Sequence, residues 1–467
     1  MEVKNKISIT QKVKQGQGPV YFLGIGGIGM SALARYFISM NRKVSGYDRV
    51  STPLTKKLEA EGINIHYIDD VNLLDPLAEL VVYTPAVPAD HQELNFYKNN
   101  DYLLLKRSDV LEAITNDAFT IAVAGTHGKT TTSTLIAHIL RHSGVGCNAF
   151  LGGISANYET NFWKSSNCTC VVEADEYDRS FLKLFPDVAI ITAMDADHLD
   201  IYGTEKNMQD AFVSFTGNIK ENGLLIYKYN LHRDTELAAK NKWTYAATDT
   251  NADCFAKNIK IQNGAYVFDA IVKDKIIEGL TLHMGGRHNV ENAIAAVAVA
   301  MQVGIDEDKI RAAFSNFKGV KRRFEYIVKP SEGKTGVVMI DDYAHHPEEL
   351  RALIMGAKEL FPGKKCTIVF QPHLYSRTRD LAAGFAEVLS LADEVLLLPI
   401  YPARELPIPG VTSKTILEKM THQHVSLIEK GTLKEWIRNN DLQVFIMSGA
   451  GDIDTLIEPI KKIVEEK

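Results

Sequence analysis

The sequence predicts an α/β protein made of three successive units, each a largely parallel sheet covered by helices. Three observations carry that prediction. A glycine-rich turn, Gly24-Ile25-Gly26-Gly27-Ile28-Gly29, stands between an apolar stretch and a helical one. A second, Gly125-Thr126-His127-Gly128-Lys129-Thr130-Thr131, repeats the arrangement downstream, and apolar runs alternate with helix-like stretches again after Gly319. At 467 residues the chain exceeds one ordinary core, and length alone suggests about three domains.

In chain order, a polar arm is expected through about Pro19, then a strand from Val20 to Gly24, a helix from Ser31 to Met40 and a further strand from Leu80 to Tyr83. The first turn satisfies GxGxxG between strand and helix, with Asp48 about 20 residues on. Residues 1–117 therefore read as a Rossmann-like unit in which Gly24, Gly26, Gly27, Gly29 and Asp48 would meet a diphosphate. NAD and a uridine diphosphate sugar both carry one, and tight packing of a helix on a strand explains the same pattern without a ligand. Lys106 to Asp117 leads into the next strand, which places a boundary at Asp117.

Residues 118–321 read as a central P-loop ATPase-like unit. The strand Thr120 to Ala124 feeds the second turn, and a helix from Thr130 to Arg141 is closed by Gly144. Glycines let backbone N–H groups approach phosphate oxygens, and the helix start adds unsatisfied donors. Lys129 would neutralise β- and γ-phosphate charge and Thr130 would ligate Mg2+. The general pattern GxxxxGK(S/T) asks for glycine where Val123 stands; the loop keeps Gly125 instead. The strands Thr169 to Ala174 and Val188 to Thr192 end near Glu173 and Asp197-His198, where sites in α/β sheets are usually found. A helix after Gly286 runs through an alanine-rich stretch to Gly304, with Asn289 and Asn292 on one face near its start.

Gly319 to Glu325 forms a basic linker into residues 322–467, a third, Rossmann-like α/β unit. Its strands are expected at Val337 to Asp341, Cys366 to Gln371, Val395 to Leu398 and Val444 to Met447. Pro347 opens a helix to Leu360, and Gly363 helps end it.

A net charge of −6 supplies no general attraction to nucleic acid or acidic membranes, so neither is expected as a partner. No uncharged apolar run approaches a membrane span and the N-terminus lacks an apolar signal core, which predicts a cytoplasmic protein. The five cysteines, Cys147, Cys168, Cys170, Cys254 and Cys366, have no paired metal spacing and read as packing residues.

Taken together, Gly125 to Thr131, Glu173, Asp197-His198, Arg287 to Asn292, Arg322-Arg323 and Asp341-Asp342-Tyr343-Ala344-His345-His346-Pro347 resemble the Mur ligases of peptidoglycan synthesis. Phe370-Gln371-Pro372-His373 with Arg377, and Gly24 to Gly29 at the start, look most like the alanine-adding branch. The resemblance covers all three units in order. It implies an ATP-dependent amide synthesis in which the carboxylate of UDP-N-acetylmuramate attacks the γ-phosphate and the amine of L-alanine then attacks the acyl phosphate. It further implies that the loop Gly125, Thr126, His127, Gly128, Lys129, Thr130 and Thr131 holds ATP, that Thr130, Glu173 and His198 hold Mg2+, and that His288, Asn289 and Asn292 lie at adenine. Asp342 would meet the ribose and Arg323 the phosphates. His345, His346, His373 and Arg377 fall to the amino-acid end, Arg377 as the cation for the alanine carboxylate and a histidine as proton acceptor.

Each assignment has a plainer counterpart: a loop histidine for His198, a solvated strand end for Glu173, helix capping for Asn289, and packing or capping of the Pro347 helix for the histidines. Two departures stand out. Leu374 occupies a position where arginine is frequent in the alanine-adding branch, and Ala211-Phe212-Val213-Ser214-Phe215 offers no lysine of the kind other Mur ligases carbamylate. Competing readings are a ligase for a recycled tripeptide, a nicotinamide-dependent oxidoreductase, and a nucleotide-binding switch without catalysis. Monomer and homodimer both remain open.

Overall fold

The computed structural model describes residues 2–196, 199–329, 336–403, 405–421 and 424–466. The first sheet contains β1 (Val20–Leu23), β2 (Val44–Tyr47), β3 (Asn64–His66), β4 (Leu80–Tyr83) and β5 (Leu104–Lys106), all parallel in the order β3-β2-β1-β4-β5. The central strand β1 is buried at every position, which is why it reads as an unbroken apolar run instead of an alternating one. Its helices are α1 (Glu2–Gln15), α2 (Ile28–Ser39), α3 (Pro53–Ala60), α4 (Gln92–Asn99) and α5 (Arg107–Thr115). Helix α1 corrects the expected polar arm. Ile9 and Val13, one turn apart, pack on the core, and the apolar residues scattered through this polar stretch are too sparse to announce a helical period. Arg42 pins the segment, donating to the carbonyls of Lys12 (2.9 Å) and Gly18 (2.7 Å) while pairing with Glu79 at 2.9 Å.

The second sheet has ten strands: β6 (Phe119–Ala124), β7 (Asn148–Ser155), β8 (Thr160–Trp163), β9 (Thr169–Glu173), β10 (Val188–Ile191), β11 (Leu224–Lys228), β12 (Asn241–Tyr245), β13 (Cys254–Gln262), β14 (Ala265–Val272) and β15 (Lys275–Leu282). Their order is β15-β14-β13-β12-β11-β10-β6-β9-β7-β8. The middle is parallel, and antiparallel hairpins extend both edges. β6 lies between β10 and β9, with Ala124 opposite Ile191 and Val123 opposite Glu173. The chain thus leaves β6 at a point where its neighbours diverge, the place where open α/β sheets form a crevice. Helices α6 (Lys129–His142), α7 (Leu199–Tyr202), α8 (Glu205–Gly217), α9 (Arg287–Gln302) and α10 (Glu307–Asn316) belong to this unit. The alanines of α9 are almost fully buried, since small side chains let the helix pass close to α6.

The third sheet runs β16-β17-β21-β18-β19-β20, from β16 (Glu325–Val328), β17 (Val338–Asp342), β18 (Cys366–Phe370), β19 (Glu394–Leu397), β20 (Val425–Leu427) and β21 (Val444–Ser448). Only β16 is antiparallel. Helix α11 (Pro347–Leu360) matches the predicted bounds, and α12 (Tyr375–Leu389) follows β18.

Contacts cross between units. The Tyr36 ring of α2 meets Phe150 at 5.7 Å and Phe162 at 6.0 Å, and the Tyr326 hydroxyl of the third unit donates to Gly264 O of the second at 2.7 Å. All five cysteines are free; Cys168 is exposed and the others are buried, in keeping with packing. Among the described residues no helix is long and apolar enough to cross a membrane.

Candidate active site

The second glycine turn leaves β6 with Gly125 at φ +128° and Gly128 at φ +81°, a region that side chains with a Cβ rarely adopt. The turn is held from β10: Thr126 N donates to Ala193 O at 3.1 Å, and the Thr192 hydroxyl donates to the carbonyls of Ala124 and His127. Helix α6 then begins at Lys129, so its first N–H groups lack intrahelical partners and face out of the helix start. A Cβ at Gly128 would lie 2.6 Å from Asn292 Oδ1, because the start of α9 is seated directly on the loop. Asn292 Nδ2 donates to Asn289 Oδ1 at 3.2 Å and Asn289 Nδ2 to Gly285 O at 2.7 Å. Both asparagines are buried within the first turns of α9, and Gly286, not Asn289, holds the N-cap position. His127 and His288 are exposed beside this junction.

Lys129 Nζ donates to Gly125 O at 2.6 Å and pairs with Glu176 at 2.8 Å. An ammonium has three donors, so one remains to be offered to a phosphate. The Thr130 hydroxyl donates to Glu173 at 2.9 Å and Gly152 N donates to the same carboxylate at 3.0 Å. A Cβ on Gly152 would sit 2.1 Å from Glu173 Oε2, so the missing side chain is what admits the carboxylate. Burial pushes the Glu173 carboxyl above its ordinary range, and the positive charge of Lys129 works against that shift. A half-buried, oxygen-only pair of this kind fits a hard divalent cation. His198 and Asp197, expected beside it, lie outside the described residues.

The linker separates the two adjacent arginines. Arg322 turns inward, with Nε 3.3 Å from Asp341 Oδ2 and its guanidinium over the Tyr343 ring at 5.1 Å. Arg323 is exposed, and its charge opposes the burial that raises the carboxyls of both Glu173 and Asp342, which places it between the second and third units. Asp342 accepts from Phe324 N at 2.6 Å and Ala344 N at 2.7 Å; burial pushes its carboxyl up to about 6 against those bonds. Each oxygen keeps a second lone pair for a hydroxyl donor.

His345, His373 and Arg377 form a separate group. The His345 and His373 rings are 6.0 Å apart, and Arg377 Nη1 is 3.4 Å from His373 Nδ1. His373 stacks on Tyr401 at 5.8 Å, and burial, then the Arg377 charge, push it down to about 4. Burial also lowers His345, whose Nδ1 lies 2.9 Å from Tyr343 O, so both rings are neutral near pH 7. His346 stands exposed at the N-cap position of α11, where Glu349 accepts from the backbone N–H groups of His345 (2.9 Å) and His346 (3.1 Å). Leu374 takes φ +72°, ψ 137° between His373 and α12, a strained conformation for leucine of the kind that gathers at functional positions.

In the first unit, Gly26 N donates to Asp48 Oδ2 at 2.7 Å, so Asp48 holds the glycine turn itself. Gly24, Gly27 and Gly29 surround the start of α2, and Gly27 N donates to Gly24 O at 3.2 Å. Sequence reasoning missed Glu176, the partner of Lys129, although the acidic run Glu173-Ala174-Asp175-Glu176 at a strand end was a usable signal. It also missed Arg107, which bonds Asp175 at 3.0 Å and has no local signature.

Comparison with known proteins places the chain in a family. Residues 19–118 match the description "Mur ligase family, catalytic domain", 123–300 "Mur ligase middle domain" and 322–449 "Mur ligase, glutamate ligase domain". The chain is 48% identical to a UDP-N-acetylmuramate–L-alanine ligase of Porphyromonas gingivalis, over 96% of this chain and 99% of that one. It is 46% identical to the Flavobacterium johnsoniae protein of the same name, over 96% and 98%. A solved UDP-N-acetylmuramate-alanine ligase from Thermotoga maritima superposes with a TM-score of 0.80 at 29% identity, covering 95% and 98%. A murein peptide ligase from Psychrobacter arcticus shares the fold at a TM-score of 0.64 and 21% identity, covering 96% and 99%.

Proposed function

The chain belongs to the Mur ligase family, and from that premise we propose that it joins L-alanine to the carboxylate of UDP-N-acetylmuramate at the expense of ATP, in peptidoglycan precursor synthesis. Relatives with that name match it over nearly their full length. The observation that carries the reading is the meeting of Thr130, at the start of the P-loop helix, with the half-buried Glu173 across the β6–β9 register. That arrangement serves phosphoryl transfer, which needs placed charge more than a protein nucleophile.

A carboxylate oxygen of the sugar nucleotide attacks the γ-phosphorus, the bond to the β-phosphate oxygen breaks, and ADP leaves. The amine of alanine then attacks the acyl carbon, phosphate leaves with the bonding pair, and the nitrogen gives up a proton. Lys129 and the N–H groups at the start of α6 hold the phosphates, and Arg323 faces the charge that builds on them. Thr130 and Glu173, with His198 expected from the resemblance, would hold Mg2+, which neutralises phosphate charge during transfer. Asn289, Asn292 and His288 line the adenine end, and Asp342 the ribose. Arg377 takes the alanine carboxylate, and the neutral His345 and His373 are the proton acceptors within reach of it. The sugar nucleotide belongs to residues 1–117, ATP to 118–321 and the amino acid to 322–467. A reaction fed by ATP and a nucleotide sugar places the protein in the cytoplasm.

The test is phosphate release from ATP, Mg2+ and UDP-N-acetylmuramate with L-alanine, with the tripeptide, or with neither. Alanine-dependent release with a new amide is expected. A preference for the tripeptide moves the reading to recycling, and no release with either acceptor removes the ligase reading.

A further inference from the structure

We propose that Glu159, at the tip of the β7–β8 hairpin, is a positioning residue that fixes the end of the linker from which Arg323 projects. That Arg323 meets phosphate rests on the ligase reading above; the joint beside it does not. Hinges often fall at small residues, but Gly319 is pinned: its carbonyl accepts from Ala156 N at 3.0 Å, Val320 pairs with Ser155, and Lys321 N donates to Ile154 O at 2.8 Å. One residue later the backbone belongs to the third unit, where Arg322 O accepts from Tyr343 N at 2.8 Å and Phe324 N donates to Asp342. The joint is therefore the Lys321–Arg322 link, with Arg322 at φ +59° and Arg323 N bonded across it to Val320 O at 3.1 Å. Arg323 lies on the third unit's side of it.

Glu159 grips the other side. Its carboxylate pairs with Lys321 at 2.5 Å and its carbonyl accepts from Lys57 of α3, so one residue joins the first unit to the last pinned residue of the linker. The hairpin itself is held on the first unit by the buried Asn161, which donates to Ile28 O at 2.6 Å and Ser31 Oγ at 3.0 Å and accepts from Arg35. A Cβ on Gly153 would lie 2.8 Å from Val320 Cγ1 and 2.9 Å from Thr130 Cγ2, both on stiff, β-branched side chains, so linker and P-loop helix meet across one glycine of β7. Glu159 stands at φ +55°, which glycine or asparagine adopts with less strain, so the turn alone does not call for glutamate. With side chains 57% and 39% exposed, the Glu159–Lys321 pair contributes little to stability. It is strong enough to bias the link between two settings by on the order of fivefold, because a contact shifts an equilibrium only by its own free energy.

A pair that only braces the surface would quicken local exchange and leave turnover alone. The experiment is steady-state phosphate release by the full chain and by Glu159→Gln, Lys321→Met, the two combined, and Lys321→Arg, with melting temperatures and ligand-free hydrogen exchange of the Lys321 and Arg323 amides measured alongside. Each charge-removing variant is expected to lower kcat ~3–5-fold, with KM for the nucleotide sugar and the melting temperature unchanged. The combined variant should lose no more than either single one, and Lys321→Arg should keep the parent's rate. Exchange at both amides should quicken in Glu159→Gln. Parent-like kcat in Glu159→Gln, additive losses in the combined variant, or unchanged exchange overturns the proposal. The exchange measurement needs no ligand, so a parent that releases no phosphate removes the ligase reading and the task of Arg323, while exchange still decides the joint.

Discussion

Lys129 carries two tasks that one substitution removes together. Its ammonium supports the P-loop and neutralises the buried Glu176 at 2.8 Å. Lys129→Ala is expected to abolish phosphate release while UDP-N-acetylmuramate still binds the first unit. It should also cost about 3 kcal/mol, since a buried carboxylate loses its cation. Adding Glu176→Gln should return most of the stability and none of the activity. Thermal unfolding beside the phosphate assay separates the two effects, and recovery of activity in the double variant would sink the assignment of Lys129. The neighbouring arginines make a related point. Positive φ angles at Arg322 (+59°) and Phe324 (+49°) turn Arg322 toward Asp341 and leave Arg323 exposed, a division that two identical side chains do not announce in sequence.

At the scale of elements, β1, β3 and α4 bury a proton-sharing cluster that the ligase chemistry does not use. Tyr21 OH lies 2.5 Å from Glu93 and 2.6 Å from His66 Nε2, and burial pushes the Glu93 carboxyl up to about 7 from an unfolded value of 4.5. Between those two values the folded chain retains a proton that the unfolded chain has lost. Stability contributed here is therefore greatest below pH 4.5 and falls as pH rises to 7, by on the order of 3 kcal/mol. His66 and His91, held below their ordinary range by burial, act in the opposite sense as they lose their charge. Glu93→Gln should flatten the parent's fall in unfolding midpoint between pH 5 and 8; identical profiles for the two proteins would dismiss the cluster as a source of pH dependence. The strands and α11 were legible because their apolar periods are long and well bounded. The stretch from β12 to β15 drew no reading, since its edge hairpins alternate with polar residues and are defined by partners elsewhere in the sheet.

For the whole molecule, Thr130 and Glu173, proposed for the ATP side, and His345, His373 and Arg377, proposed for the amino-acid end, sit on different units joined by the linker at Gly319 to Glu325. No hydrogen bond among the described residues ties the two groups together. The linker is held by Asp342 at Phe324 N and by the Phe324 ring against Gly285. Closure of the third unit on the second is therefore expected when both nucleotides are bound. Small-angle scattering should record a smaller radius of gyration with UDP-N-acetylmuramate and a non-hydrolysable ATP analogue than without them. An unchanged radius would remove closure from the mechanism.

The α/β class and both glycine turns were legible in the sequence, as were Lys129, Thr130 and the acidic strand end at Glu173, the residues that the ligase reading assigns to ATP. These are local: each depends on backbone freedom, helix starts and strand ends within a few residues. Only the tertiary structure decided that Glu173 faces Thr130, that Glu176 takes Lys129, that Asn292 seats Gly128, and that α1 is a helix pinned by Arg42. Those pairings join residues distant in the chain. They follow from sheet register and the buried faces that units share, which no local pattern encodes.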